Sequence, residues 1–176
     1  MSVAIRRYAE GDHAAVRALF FRINRDLAPP AMRQAVEDYI ARSLAEEIDR
    51  LGMYYDEHRG AFFVAYDGEA LAGMFGLEGL GTASAELRRM YVDRAYRGTG
   101  LAQTMLAHAE QVARDAGTPV LELSTSELQG AALAFYRKSG YRLVREETVA
   151  EQSNKTIGGN IRRFYFEKTI AAASRA

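Results

Sequence analysis

The chain of 176 residues is long enough for one domain with a sizeable core and short for two. Its 23 basic and 23 acidic residues cancel, so neither nucleic acid nor an anionic membrane surface is an expected partner. The absence of cysteine excludes disulfides, thiolate metal sites and a cysteine nucleophile, and is compatible with a reducing compartment.

The N-terminal stretch Met1 to Arg7 lacks the apolar core of a signal peptide. No apolar run approaches the ~20 residues of a membrane span, so a cytoplasmic location is expected. Val3 to Tyr8 reads as a strand. Asp12 is the N-cap candidate of a first helix, with Val16, Leu19, Phe20 and Ile23 on one face. Pro29-Pro30 ends it. Met32, Val36, Tyr39, Ile40, Leu44, Ile48 and Leu51 then follow helical spacing, which predicts one second helix with a solvated charged side.

Ala61 to Tyr66 is a strand, and Asp67-Gly68 is a strong hairpin signal leading to a return strand from Ala70 to Leu77. Gly79-Leu80-Gly81-Thr82 turns the chain again, and Ala85 to Val92 is the next strand. This is an antiparallel meander. Thr99 to Ala116 is then amphipathic, with Gly117 and Pro119 at its end. Val120 to Leu123 reads as a short buried strand. The strand, helix, strand unit predicts that this strand runs parallel to Ala85–Val92. Ser126 to Lys138 is the last helix, with Ser126 and Gln129 spaced as a capping box. Tyr141 to Val149 and Ile161 to Thr169 are the closing strands, joined by a polar loop. The whole is an α+β chain, with residues 171–176 a frayed tail. The Asn154-Lys155-Thr156 sequon carries no meaning without a secretory signal.

The informative stretch is Met90-Tyr91-Val92-Asp93-Arg94-Ala95-Tyr96-Arg97-Gly98-Thr99-Gly100-Leu101-Ala102. It is a strand end, a polar turn and a glycine-rich entry into a helix. Free backbone N–H groups at such a start bind anions, and Arg97 adds a positive charge. A dinucleotide fingerprint is disfavoured because Gln103 stands where a third glycine belongs, and a P-loop because Leu101 follows Gly100. The same residues also fit an ordinary strand-to-helix turn with a solvated arginine. His13, His58 and His108 are too scattered for a metal site, so no metal is expected.

Arg97-Gly98-Thr99-Gly100-Leu101-Ala102 resembles the phosphate turn, Arg/Gln-x-x-Gly-x-Gly/Ala, of the GNAT superfamily of acetyl-coenzyme A-dependent N-acetyltransferases. Ala131 to Arg142 resembles that family's Ala-x-x-x-Tyr-x-x-x-Gly-Phe helix end, and Arg163 to Lys168 its last strand. The resemblance spans residues 1–176 as one acyltransferase domain. It implies a mixed, mostly antiparallel sheet with one splayed parallel strand pair and helices on both faces.

The resemblance also implies roles. Amides of Gly98, Thr99, Gly100, Leu101 and Ala102, with Arg97, would hold the coenzyme's pyrophosphate. Main-chain groups of Met90, Tyr91 and Val92 would pair with its pantetheine arm, and an N–H near Met90 would polarise the thioester carbonyl. Tyr136 matches the general acid for the departing thiolate, although a core tyrosine beside Phe135 is the structural alternative. Glu86 matches the base of the protein-acetylating branch, with a rim glutamate as the alternative. Glu122 and Glu78 are weaker candidates. Gln129 replaces an Asn common in the family, which leaves its contact with coenzyme open. By strand alternation, one of Arg88 and Arg89 should face the cleft and the other away.

The expected activity is acetyl transfer from acetyl-coenzyme A to a primary amine by direct attack, with a small molecule such as an amino acid or conjugate as acceptor. Acetylation of a protein N-terminus or lysine is the second reading. It predicts an open groove between the second helix and the loop from Glu151 to Asn160, where a small-molecule enzyme predicts closure. A non-catalytic acyl-coenzyme A sensor is the third. Partners are coenzyme A and an amine, and a homodimer is compatible with the sequence.

Overall fold

The computed structural model describes residues 2–170; the tail expected at 171–176 lies outside them. A seven-stranded sheet runs in the order β1-β2-β3-β4-β5-β7-β6. The strands are β1 (Val3–Arg7), β2 (Ala61–Asp67), β3 (Ala70–Glu78), β4 (Ser84–Val92), β5 (Val120–Ser126), β6 (Arg142–Val149) and β7 (Ile161–Thr169). Every neighbouring pair is antiparallel except β4 and β5. The helices are α1 (His13–Leu27), α2 (Arg33–Glu46), α3 (Leu51–Glu57), α4 (Leu101–Asp115) and α5 (Gly130–Lys138).

Alternation along the strands divides the apolar residues between two cores. Phe62, Val64 and Met74 pack with Val16, Phe20, Ile40 and Leu51 from α1, α2 and α3. Phe63, Phe75, Leu87, Leu123 and Phe166 point the other way, to Met105 and Ala109 of α4 and Tyr136 of α5. Helices therefore cover both faces. Among the described residues no helix is long and apolar enough to cross a membrane.

Local structure departs from the sequence expectations at a few places. Asp12 does not cap α1 with its side chain. Its carboxylate instead accepts the Ala9 N–H at 2.8 Å and binds Arg6 at 2.7 and 2.8 Å. Strand β5 runs on to Ser126, beyond Leu123. Ser126 makes no capping bond, because Gln129 takes the Thr125 hydroxyl at 2.8 Å and the last helix starts only at Gly130.

The expected second helix is broken. It stops at Glu46, Glu47 leaves helical geometry (φ −138°, ψ −63°), and α3 begins at Leu51. Glu47 explains the break. Its carboxylate is fully buried, accepting from Arg88 at 3.0 Å, Arg89 at 2.7 Å and the Tyr55 hydroxyl at 2.8 Å. Helix propensity is worth tenths of a kcal/mol per residue, whereas an unpaired buried charge costs several, so the ion cluster decides. Gly76 makes room for it, since a Cβ there would lie 2.2 Å from the Tyr55 hydroxyl.

Arg88 and Arg89 also depart from alternation. Both are buried and both reach Glu47. The β3–β4 register shifts between Met74 and Gly76, and Arg89 takes a left-handed φ of 53°. This bulge adds one residue to β4, so consecutive side chains share a face.

Burial alone would raise the Glu47 carboxyl's pKa, but Arg89 and Arg88 overcome it and hold the group below its usual range. Its contribution is therefore present above the unfolded-state value of about 4.3 and is lost as pH falls through the lower folded value. Glu47→Ala should lower the unfolding free energy by about 3–5 kcal/mol near neutral pH, read by chemical denaturation. Arg25→Ala, which removes an exposed pair with Glu37, should leave the midpoint unchanged within error.

Candidate functional site

The parallel pairing of β4 with β5 runs from Ser84↔Val120 to Leu87↔Leu123 and stops there. Both strands continue, to Val92 and to Ser126. They diverge just where the bulge at Arg89 redirects β4. Past the bulge Met90 and Val92 join the core under α4 and α5, and Tyr91 joins the opposite one.

The chain leaves β4 through a tight turn. Asp93 accepts the Ala95 N–H at 2.9 Å, and the Thr99 hydroxyl donates to the Tyr96 carbonyl at 2.7 Å. Gly98 and Gly100 take φ of 75° and 87°, and α4 starts at Leu101 with no capping side chain and no acid in its first turn. The first-turn N–H groups of such a helix lack intrahelical partners and sit at the positive end of its dipole. A Cβ at Gly98 or Gly100 would meet no protein atom within 4 Å, so within the protein the left-handed φ is what calls for glycine. Arg97 is exposed and has no ion-pair partner among the described residues.

A cavity of about 490 Å³ connects this turn to α5, lined among others by Met90, Val92, Arg97, Gly100, Gln129 and Tyr136. Tyr136 is buried against Phe135 and Tyr141, with ring centroids 5.1 and 5.8 Å away. Its hydroxyl points to Met90 Sδ at 3.7 Å. Burial, and then the neighbouring Tyr91, push its pKa above the ordinary phenol value, so the group keeps its proton at neutral pH.

A second, narrower cavity of about 120 Å³ shares Met90, Tyr91, Gln129 and Tyr136 with the first and continues to Glu86, Ser124, Lys155 and Arg163. A third, of about 660 Å³, opens beside it along β5, β6 and β7. Glu86 and Tyr136 thus line one cleft. Glu86 is paired, accepting from Lys155 Nζ at 2.5 Å.

Glu78 is bound to Arg88 and to the Tyr54 hydroxyl, which makes it part of the buried cluster. Glu122 is exposed and lines only the third cavity. The histidines are dispersed: His13 contacts Asp49, His58 stacks on Tyr54, and His108 packs against Phe63 and Phe75, where burial lowers its pKa. No group able to hold a metal occurs among the described residues.

Lys155, Arg163 and Ser124 were not singled out from the sequence. The Arg163 guanidinium donates to Ser124 Oγ at 2.6 Å across β7 and β5. Only alternation opposite the buried Phe164 and Leu123 could have placed those two on one face, and nothing local marks Lys155. The loop carrying Lys155 is fastened to α2 and β4. Arg42 donates to the Gln152 carbonyl at 2.9 Å, Gln152 to the Ala35 carbonyl at 3.1 Å, and Arg89 to the Asn154 carbonyl at 2.7 Å.

A model of the acetyltransferase (GNAT) family matches residues 25–141. N-acetyltransferase 8F1 of Mus musculus is 29% identical over 116 residues, covering 62% of this chain and 52% of that protein. The chain spans about half the length of the curated relatives it matches. An acetyltransferase of the GNAT family from Staphylococcus aureus Mu50 has a TM-score of 0.74 at 15% identity, with 97% of this chain and 100% of that one covered. The PaiA N-acetyltransferase of Thermoplasma acidophilum, solved in complex with coenzyme A, has a TM-score of 0.71 at 21% identity, with 96% and 99% covered. These two likenesses show the fold.

The turn gives a stability test free of any ligand. Gly100→Ala places a Cβ in left-handed backbone and should cost about 1–2 kcal/mol. Gly130→Ala, at right-handed φ of −54° with open space around it, should be neutral or stabilising. Thermal or denaturant unfolding of the two variants gives the comparison.

Proposed function

The chain belongs to the acetyltransferase (GNAT) family, and from that premise we propose that it transfers an acetyl group from acetyl-coenzyme A to the primary amine of a small molecule, in the cytoplasm. The observation that carries this reading is the divergence of β4 from β5, which leaves Met90 and Tyr136 where two cavities meet.

Acetyl-coenzyme A enters as a substrate, and the turn fits its pyrophosphate. The uncapped start of α4, the left-handed glycines and the unpaired Arg97 offer N–H donors and one positive charge to an anion. The complex of the related PaiA fold with coenzyme A supports this assignment. Main-chain groups of Met90 to Val92 then line the slot for the pantetheine arm, and the Met90 N–H polarises the carbonyl.

Glu86 receives a proton from the acceptor ammonium, because only the neutral amine attacks. Tyr136, kept protonated by its burial, gives its proton to the departing thiolate. No covalent enzyme intermediate is needed.

The fastening of the 150–160 loop to α2 and to Arg89 favours a small acceptor over a protein chain. Those bonds tie the loop to α2 along the line where a polypeptide acceptor would need an open groove. The neighbouring cavity of about 660 Å³ lies within the size range of small-molecule sites and leaves room for the acceptor's body.

The test is thiol release from acetyl-coenzyme A with amino acids, polyamines, aminoglycosides and peptides as acceptors. Release with a small amine is expected. Coenzyme A binding without release for any acceptor would overturn the transferase reading in favour of a sensor, and peptide-only release would overturn the acceptor class.

Tyr136→Phe should reduce kcat about 10²- to 10⁴-fold with little change in KM for acetyl-coenzyme A. Arg97→Ala should do the reverse, weakening coenzyme binding about tenfold with kcat retained, as loss of one charge-assisted contact implies. Because the Tyr136 pKa is raised, the pH–rate profile should show no falling limb from this acid below about pH 10.

A further inference from the structure

The protein already carries a primary amine at the position that the proposed reaction assigns to its acceptor. Lys155 Nζ lies 2.5 Å from Glu86 Oε2, and both residues line the cleft that also holds Met90 and Tyr136. An amine hydrogen-bonded to the base, within the cleft that receives the thioester, is the arrangement that direct attack requires.

The placement of Lys155 is built from the interior outward. Both buried arginines donate to the carbonyl of the preceding residue, Asn154, Arg89 at 2.7 Å and Arg88 at 3.4 Å. The Lys155 N–H is held by Ser153 Oγ at 3.1 Å, and the Ser153 N–H by the Thr156 carbonyl at 2.9 Å. Gln152 is tied to α2 on the same side. The loop backbone is thus anchored to the ion cluster at Glu47, and the lysine side chain extends from that anchor to Glu86.

The ion pair alone is a weak reason for this construction. The Lys155 and Glu86 side chains keep 44% and 29% of their exposure, and partly exposed pairs contribute little to stability. Lys155 Nζ also lies 3.8 Å from Glu78 Oε2, so the lysine occupies the place between two carboxylates that an acceptor's ammonium would take.

Resting on the transferase reading above, we propose that Lys155 is an internal acceptor and that the protein acetylates it when no external amine is present. The Lys155 ammonium gives one proton to Glu86, which passes it to solvent. The neutral Nζ attacks the carbonyl carbon of the thioester, the N–C bond forms, and the C–S bond breaks. The thiolate takes a proton from Tyr136, and the second proton lost by nitrogen restores that tyrosine. Acetyl-lysine, free coenzyme A thiol and one proton in solution balance the step. The product amide carries no charge for Glu86 to hold, so the modification also frees the base.

The chain has three lysines, which makes the test internally controlled. Lys138 is exposed on α5 and reports uncatalysed acetylation, while Lys168 is engaged by Glu110 and the Ser139 carbonyl. The full chain is incubated with acetyl-coenzyme A alone, and the acetyl mass at each lysine is followed by peptide mass spectrometry at several protein concentrations. Lys155 should be labelled about tenfold or more faster than Lys138, at a rate independent of protein concentration, as attack within one molecule requires. Tyr136→Phe should slow Lys155 labelling and leave Lys138 unchanged.

Labelling of Lys155 no faster than Lys138, a rate that rises with protein concentration, or an unaffected rate in Tyr136→Phe would each overturn the proposal. Coenzyme A binding and thiol release with an external amine, measured on the same preparation, separate this failure from that of the parent reading. If both are present and Lys155 stays unmodified, the internal acceptor alone is wrong. If coenzyme A does not bind, both fall.

Discussion

A carboxylate without access to water faces two guanidiniums from consecutive positions of one strand. Glu47, Arg88 and Arg89 can meet only if β4 carries an extra residue, since ordinary alternation would send one arginine to the opposite core. The left-handed φ of Arg89 costs about 1–3 kcal/mol, and removing a partner from a buried ion pair costs about 3–5 kcal/mol. The ion cluster is the larger effect, so it holds the strained backbone in place. The same cluster ends α2 one residue before Glu47, orients Tyr55 over Gly76 and fixes the Asn154 carbonyl.

The candidate site follows from that constraint. Beyond the bulge, β4 no longer pairs with β5, and the opening reaches both faces of the sheet. On one face the glycine turn and the start of α4 lead to Tyr136. On the other, Glu86, Lys155, Ser124 and Arg163 gather from β4, a loop, β5 and β7. In the proposed reaction the coenzyme and the amine approach the same carbonyl from these two sides. The residues proposed as acid and base occupy different environments: Tyr136 is packed among aromatic rings, whereas Glu86 remains partly solvated beside a lysine.

Much of this was legible from the chain because it is local. Asp67-Gly68 marks a hairpin by its preference for positive φ, and the alternating apolar residues on either side give the strand faces. Gly98-Thr99-Gly100 before an amphipathic run marks a helix start entered through left-handed glycines, and the parallel pair follows from connection length and handedness. Each feature depends on a few neighbouring residues and on backbone sterics. The helix break was illegible for the opposite reason: Ile48 and Leu51 continue the apolar spacing and are buried in the same core as Val36 and Ile40, so the pattern itself carries no mark of the break at Glu47. The expected capping box failed because Gln129 had a competitor for its hydrogen bond in Thr125.

By itself the sequence determined the order of elements, the two apolar faces of the sheet, the glycine turn and the presence of Tyr136 and Glu86 on the elements that carry them. Those properties come from periodicity, backbone conformational preference and short-range chemistry. Tertiary structure alone decided that Glu47 would leave its helix, that Arg88 and Arg89 would share a face, and that Lys155 would meet Glu86. Each of these joins charges from distant parts of the chain. Their positions depend on balancing desolvation against pairing, and that balance exists only once the strands and helices have closed around them.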